Sequence, residues 1–140
     1  MRIVTWSDEM ALGIAEIDAD HAALLKIVQD IEAALCSSKD QPDLHEKVVH
    51  LFRFADEHFT REDGLMDRLP PQKYAEHIDA HRQMHVGFLA RIAGLCNRTA
   101  FGDGVEGFSG SDKTTLTDLV LEMVSTDREM TDHLAEEGLI

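Results

Sequence analysis

Two pairs of residues that commonly bind metals, separated by two prolines, most constrain how this chain can fold. His58 and Glu62 form one pair, and His77 and His81 form the other, each at i, i+4 spacing. On an α-helix this spacing stacks both side chains on one face, about 5–6 Å apart. Pro70-Pro71 lies between the pairs, and proline tends to end one helix and open the next. The stretch therefore predicts two consecutive antiparallel helices whose ligand-bearing faces meet.

Four segments repeat apolar residues at steps of three and four, the spacing of a buried helix seam. Four such helices with mostly short connections predict an all-α fold, an antiparallel up-down-up-down four-helix bundle. A short N-terminal arm, residues 1–17, precedes the bundle, and residues 1–140 are expected to form a single domain. The stretch 97–111 predicts a long loop, with the fourth helix beginning near Ser111 or Asp112. The seams run through Ile17, His21, Leu24, Val28, Ile31 and Leu35; Leu44, Val48, Leu51, Ala55, His58, Glu62, Leu65 and Leu69; Tyr74, His77, His81, Met84, Phe88, Ile92 and Leu95; and Leu116, Val120, Met123, Asp127, Met130 and Leu134.

Six ionisable residues interrupt these seams at one end of the predicted bundle. At about 1.5 Å of rise per residue, their heights agree to within roughly 10 Å. Unpaired buried charges are each destabilising by several kcal/mol, so their convergence indicates a bound cation. His45 and His50 lie far from this end, and His85 and His133 lie off the seam, so we interpret these four as ordinary residues. The six are His21, His58, Glu62, His77, His81 and Asp127.

The number and type of these ligands indicate which metal is bound. Four imidazoles and two carboxylates exceed the ligand set of one tetrahedral zinc ion and suit two octahedral first-row metals bridged by carboxylates. Iron is the first expectation and manganese the second. A bundle without metal would leave six buried ionisable groups unexplained.

The net charge of −14 is unusual for a chain of 140 residues. It argues against nucleic acid and anionic membranes as partners, because both bind through clustered Lys and Arg; otherwise it keeps the surface soluble. The sequence contains neither an apolar run of about 18 residues nor a signal-peptide core near residue 1, so we expect a cytoplasmic protein. Cys36 and Cys96 are expected to be free thiols, although their sequence positions also permit a disulfide.

One set of spaced residues runs the length of the chain: Trp6, Gly13-Ile14, Ile17-Asp18-x-x-His21-x-x-Leu24, His58-x-x-x-Glu62-x-x-x-Met66, His77-x-x-x-His81 and Asp127. This pattern resembles that of the bacterial hemerythrins. The competing class of di-iron bundle, the ferritin-like type, carries two Glu-x-x-His motifs, and this sequence has none.

The resemblance implies a di-iron site that binds O2 reversibly in an apolar pocket. Leu24 and Leu119 are positions that could line this pocket. Two histidines would bind each iron and two carboxylates would bridge the irons: His21 and His58 on one, His77 and His81 on the other, and Glu62 and Asp127 between them.

The chain departs from the family pattern at two positions of the fourth helix. The family's fifth histidine, five residues before the bridging Asp127, is Glu122 here, and the tryptophan four residues earlier is Asp118. Five residues turn Glu122 about 140° away from Asp127 on an ideal helix, although a local widening of the helix could turn it inward. We therefore expect Glu122 to be a further metal ligand; otherwise water completes that iron or the sites fill only partly.

Two classes of function remain open at this point. The first is a protein that stores, delivers or senses O2, with O2 or other small diatomic or anionic ligands as its binding partners. The second is a di-iron peroxidase or oxidase, which Glu122 favours because an extra anionic ligand stabilises ferric iron.

Overall fold

The computed structural model of the protein describes residues 4–36, 43–100 and 116–140. Four α-helices account for most of them: α1 (Ala15–Cys36), α2 (Leu44–Met66), α3 (Ala75–Ala100) and α4 (Leu116–Glu136). A single 3₁₀ turn, Asp8–Met10, lies in the arm that precedes α1. No β-strand occurs in these three ranges, which confirms the all-α prediction.

Each helix packs mainly against two neighbours, α1 and α3 both lying between α2 and α4. His21 near the start of α1 contacts Asp127 in the second half of α4, and its ring lies beside that of His58 in the second half of α2. His81 near the start of α3 also contacts Asp127. Neighbouring helices therefore run antiparallel, and the predicted four-helix bundle is confirmed.

The turn between α2 and α3 contains the two prolines, as predicted. The Pro70 carbonyl oxygen accepts hydrogen bonds from the backbone N–H groups of Lys73 and Tyr74, both at 3.2 Å. Leu69 and Tyr74 are buried on either side of the turn, which fixes the two helices against each other. The turn thus brings the second half of α2 and the first half of α3 to the same level.

The arm is tied to the first turn of α1 by Asp18. Its carboxylate accepts hydrogen bonds from the backbone N–H groups of Leu12 at 2.7 Å and Gly13 at 3.2 Å. Gly13 has a φ of 92°, a left-handed conformation that glycine adopts without steric penalty. The chain therefore turns into α1 at Ala15, and Trp6 packs against the core from the arm.

Two apolar clusters fill the bundle, one above the other. The site-bearing segments of the helices lie between them, so a polar layer separates two apolar layers. The larger cluster contains Leu24, Leu25, Val28, Ile31, Val48, Leu51, Ala55, Phe59, Phe88, Ile92, Leu95, Leu116, Val120 and Met123. The smaller cluster contains Met66, Leu69, Tyr74, Ile78, Met130 and Leu134.

Three further predictions concern the helix ends, the cysteines and the membrane. Helix α3 continues to Ala100, so residues 97–100 are helical and the predicted loop cannot begin at residue 97. The rest of that loop and the start of the fourth helix near Ser111 or Asp112 lie outside the described residues, as does the side chain of Cys36.

Cys96 is a free, half-buried thiol. In the described ranges, no helix is both long and apolar enough to cross a bilayer.

Candidate metal centre

The polar layer is sealed from solvent. Five of the six predicted ionisable residues, His21, His58, Glu62, His81 and Asp127, have a relative exposure of 0%. They come from all four helices, because each helix places one or two seam positions at this level. A layer of this kind is stable only if its charges compensate one another or bind an ion.

Asp127 on α4 is the central carboxylate. Its Oδ2 lies 2.6 Å from Nε2 of His21 and 3.7 Å from Nε2 of His58, and its Oδ1 lies 2.7 Å from Nε2 of His81. One carboxylate thus contacts histidines from three other helices. This is the arrangement expected of a carboxylate that bridges two metal ions.

Glu62 on α2 is the second shared carboxylate. Its Oε1 lies 3.0 Å from Nε2 of His85, 3.3 Å from Nε2 of His58 and 3.8 Å from Nε2 of His81. Glu62 therefore faces the same histidines as Asp127, with His85 in addition.

These contacts define two groups of potential metal ligands that share both carboxylates. The first half of the site is His21 and His58, and the second half is His81 and His85. In each half, one ligand atom from every residue and from the shared carboxylates lies within 4.8 Å of all the others. Two groups joined by two carboxylates match the predicted pair of metal ions better than they match a single ion.

Unpaired buried atoms show that the residues fit a metal. His81 Nε2 and Asp127 Oδ1 lie 2.7 Å apart, yet neither has a hydrogen-bond partner in the described residues. His58 Nε2 and Glu62 Oε2 are also buried without a partner. His81 Nε2 and Asp127 Oδ1 are thus close but not aligned for hydrogen bonding, as expected of atoms that point at a common ion rather than at each other.

Without a metal, protons compensate the two carboxylates. Burial opposes protonation of His58, but the carboxylates of Asp127 and Glu62 outweigh it and raise the pKa of His58 to about 10. The same balance, with the same two carboxylates, raises the pKa of His81 to about 9. Burial opposes ionisation of Asp127, but its contacts with Glu62 and His21 hold the pKa of this carboxyl well below its usual range. The layer is thus built for positive charge.

A third carboxylate, that of Asp20, orients His58 from outside the layer. Asp20 Oδ2 lies 2.8 Å from Nδ1 of His58, and Arg61 donates two hydrogen bonds to the Asp20 carboxylate, both 2.9 Å long. Carboxylates in this position fix the orientation and tautomer of a metal-binding imidazole. The sequence alone did not identify Asp20 or Arg61. Asp20 directly precedes His21 and Arg61 directly precedes Glu62, and an acid and a base at such positions on adjacent helices can indicate an ion pair.

His77 lies one step outside both groups. Its Nε2 is 3.1 Å from Nδ1 of His81, on the side of the His81 ring away from Asp127. Its own Nδ1 lies 3.7 Å from the exposed carboxylate of Glu129, and burial together with the nearby His81 lowers the pKa of His77. The structure therefore places His77 beside His81 but not in contact with the shared carboxylates.

Glu122 is exposed and belongs to neither group. Helix α4 is a continuous α-helix from Leu116 to Glu136, without the local widening that would turn Glu122 toward Asp127. Instead, Glu122 and Leu119 line a cavity of about 280 Å³ beside Phe59 and Phe88. Leu24, the other residue predicted to line an O2 pocket, is fully buried in the larger apolar cluster.

His85 joins the site, contrary to the interpretation that it is an ordinary residue off the seam. It is 4% exposed, and its ring stacks on Phe59 with centroids 3.9 Å apart. A signal was present, because His77, His81 and His85 repeat at four-residue steps on α3. His45 instead pairs with Thr99 at 2.8 Å, and His133 lies near Glu136, at 3.7 Å.

Comparisons with known proteins agree with this geometry. Residues 12–138 match the family described as Hemerythrin HHE cation binding domain. A Bacteriohemerythrin from Ralstonia nicotianae is 32% identical over 99% of this chain and 93% of its own length. Myohemerythrin-1 from Phascolopsis gouldii is 30% identical over 64% of the chain, a match that spans 66% of that relative, and Myohemerythrin from Theromyzon tessulatum is 24% identical over the same shares. No solved structure gives a significant match.

Proposed function

Because the chain belongs to the hemerythrin family, we propose that it is a non-haem di-iron protein that binds O2 reversibly, for storage, delivery or sensing. The observation that carries this proposal is the pair of buried ligand groups sharing Glu62 and Asp127. The name of the Ralstonia relative, Bacteriohemerythrin, agrees with it. When bound, the two irons would supply the electrons and the coordination position that O2 binding requires.

The protein's own residues provide the rest of the site. His21 and His58 would hold the first iron, His81 would bind the second, and Glu62 and Asp127 would be shared by both. Asp20 holds the outer nitrogen of His58 at 2.8 Å, so that Nε2 faces the shared carboxylates. The remaining histidine of the second half is then either His77 or His85.

The surroundings of the site favour binding of a small ligand over turnover of a larger substrate. Glu62 and Asp127 have 0% exposure, and the apolar clusters lie on both sides of them, which excludes bulk water. The pocket of about 280 Å³ beside Phe59 is lined by Phe88 and Leu119 but also by the charged Arg91 and Glu122. None of the buried ligand candidates lines it, so the enclosure of the site rests on the burial of the ligands themselves. The peroxidase or oxidase alternative relied on Glu122 as an extra anionic ligand, and Glu122 is exposed.

Metal analysis and optical spectroscopy under cycled O2 test the proposal. We expect close to two iron ions per chain and an absorption band that appears with O2 and disappears on its removal. Finding two manganese ions instead would show that the metal is manganese and not iron. A spectral change that is irreversible and accompanied by steady consumption of a reductant would replace the binding function with an enzymatic one.

A further inference from the structure

We propose, on the basis of the di-metal function above, that His85 is a metal ligand and that His77 is not. The second half of the site would then use His81 and His85, one helical turn further along α3 than the pair His77 and His81. Each metal would be held by two histidines and would share Glu62 and Asp127.

The position of the His85 ring supports its role as a ligand. His85 is 4% exposed, and its ring stacks on Phe59 with an interplanar angle of 15°. Stacking fixes the plane of the imidazole, so its Nε2 is held toward Glu62, with 3.0 Å between Nε2 and Oε1. A surface histidine with an ordinary structural role needs neither this burial nor this orientation.

The outer nitrogen of His85 faces a carboxylate, as that of His58 does. His85 Nδ1 lies 3.5 Å from Oδ1 of Asp63, and Asp63 directly follows the shared Glu62. Both atoms lack a hydrogen-bond partner in the described part of the chain. A carboxylate behind an imidazole raises its basicity as a metal ligand. Asp63 lies on the same side of His85 as Asp20 does of His58, but at 3.5 Å and without a hydrogen bond.

The contact made by His77 separates it from the metal position. The two ring nitrogens of an imidazole point in diverging directions, and His81 directs Nε2 toward Asp127 at 2.7 Å. His77 Nε2 lies instead against Nδ1 of His81, at 3.1 Å. A side chain that contacts Nδ1 cannot share the metal bound at Nε2, so His77 is a positioning residue. By accepting a hydrogen bond from Nδ1–H of His81, it would orient the His81 ring with Nε2 toward Asp127.

Cobalt(II) titration of the metal-free protein of 140 residues tests the assignment, because Co(II) reports its coordination in the visible spectrum. We expect two tight equivalents for the wild type, one for His85→Gln, and two for the control variant His50→Gln, which changes an exposed histidine far from the site. Circular dichroism checks that each variant folds. If His85→Gln retains two tight sites with an unchanged spectrum, or if His50→Gln loses a site just as His85→Gln does, the assignment of His85 is wrong.

Two variants of His77 test its positioning role. His77→Leu removes the acceptor for His81 and should weaken one Co(II) site by about 10- to 100-fold, as outer-shell changes do. His77→Gln offers an amide oxygen as acceptor and should restore most of this loss. If His77→Leu and His77→Gln both abolish one site while His85→Gln keeps two, His77 is the ligand and the proposal fails.

Failure of this assignment is distinguishable from failure of the proposed function. A wild-type protein that takes up fewer than two metal ions, or shows no reversible response to O2, contradicts the di-metal O2-binding function whatever His85 does. A wild type that passes both tests, together with a His85→Gln variant that still binds two ions, contradicts only the role of His85.

Discussion

The two halves of the site contain similar sets of potential ligands, but different helices and different outer contacts supply them. In the first half, His21 and His58 come from two helices, and an ion pair between Asp20 and Arg61 supports His58 through contacts of 2.8 and 2.9 Å. In the second half, His81 and His85 come from one helix. Their outer contacts are longer or uncharged, at 3.1 Å to His77 and 3.5 Å to Asp63.

This difference shows that burial alone does not determine how well a metal site is organised. All four histidine rings are buried, but only His58 has an outer hydrogen bond to a carboxylate that is itself held by an arginine. Orientation by outer contacts strengthens a metal ligand, so we expect the first half to bind its metal more tightly. Removing groups from one half at a time tests this expectation.

Loss of the central carboxylate should have the largest effect, because it belongs to both halves. Asp127→Asn keeps the shape of the side chain but removes the charge that faces His21, His58 and His81. We expect loss of both metals, and destabilisation of the metal-free protein by roughly 3–5 kcal/mol, the range for breaking a buried ion pair. Metal analysis and denaturant unfolding measure the two effects.

The matched control is Asp132→Asn, which changes an exposed aspartate on the same helix. It should alter neither metal content nor the free energy of unfolding by more than a few tenths of a kcal/mol. Full retention of both metals by Asp127→Asn would rule out a bridging role for Asp127.

The second largest effect should be the pH dependence of the metal-free protein. His58 has a raised pKa of about 10, so its stabilising contribution is complete below about pH 6.5, the value for an unfolded chain, and is lost as the pH rises through 10. The stabilising contribution of His81, whose pKa is about 9, is lost as the pH rises through that value. We expect the free energy of unfolding to fall by several kcal/mol between pH 6.5 and 10.

Variants assign this pH dependence to the two halves. His81→Gln should remove the part of the loss that occurs at lower pH, and His58→Gln the part at higher pH, in unfolding measured across the range. The metal-loaded protein should behave in the opposite way and release metal as the pH falls, because metals bind neutral imidazoles. A metal-free protein whose stability is constant from pH 6.5 to 10 would contradict the proton-compensated layer.

Seam spacing predicted the bundle and five buried site residues, because a helix turns by a fixed angle per residue. It could not resolve which side chain faces inward where two neighbours compete. From His81, steps of three and four lead to Met84 and His85, and both are acceptable on a helix. Stacking on Phe59, a contact with another helix, places His85 inside, and Met84 is only half-buried.

At Glu122 the family pattern and helix geometry point in opposite directions. Five residues before Asp127 the helix has turned by about 140°, which points the side chain away from the layer. The turn of α4 is regular, and Glu122 is exposed. Asp20 was missed for a third reason, because its contact with His58 joins residues 38 positions apart and depends on how α1 and α2 are rotated.

Loss of the outer carboxylate should have a smaller effect that is confined to the first half. Asp20→Asn should weaken the first metal by about 10- to 100-fold and leave the second unchanged, because Asp20 contacts only His58 among the site histidines. Competition with a chelator during Co(II) titration measures both affinities. Asp56→Asn, an exposed aspartate on α2, is the control, and an equal loss at both metals would show that the two halves are not independent.

The smallest effect should follow removal of the arginine behind that carboxylate. Arg61→Gln leaves the hydrogen bond between Asp20 and His58 in place and removes only the pair that orients Asp20. The Arg61 side chain is 39% exposed, and partly exposed ion pairs contribute roughly 0.2–1 kcal/mol.

We therefore expect Arg61→Gln to weaken the first metal by about two- to fivefold. Raising the salt concentration should reduce the difference from wild type, since screening weakens the same ion pair. Arg82→Gln, which breaks the exposed pair between Arg82 and Asp67 away from both halves, should bind both metals as the wild type does. If Arg61→Gln instead matches Asp20→Asn, the carboxylate cannot orient His58 without the arginine, and the ion pair rather than Asp20 alone distinguishes the first half.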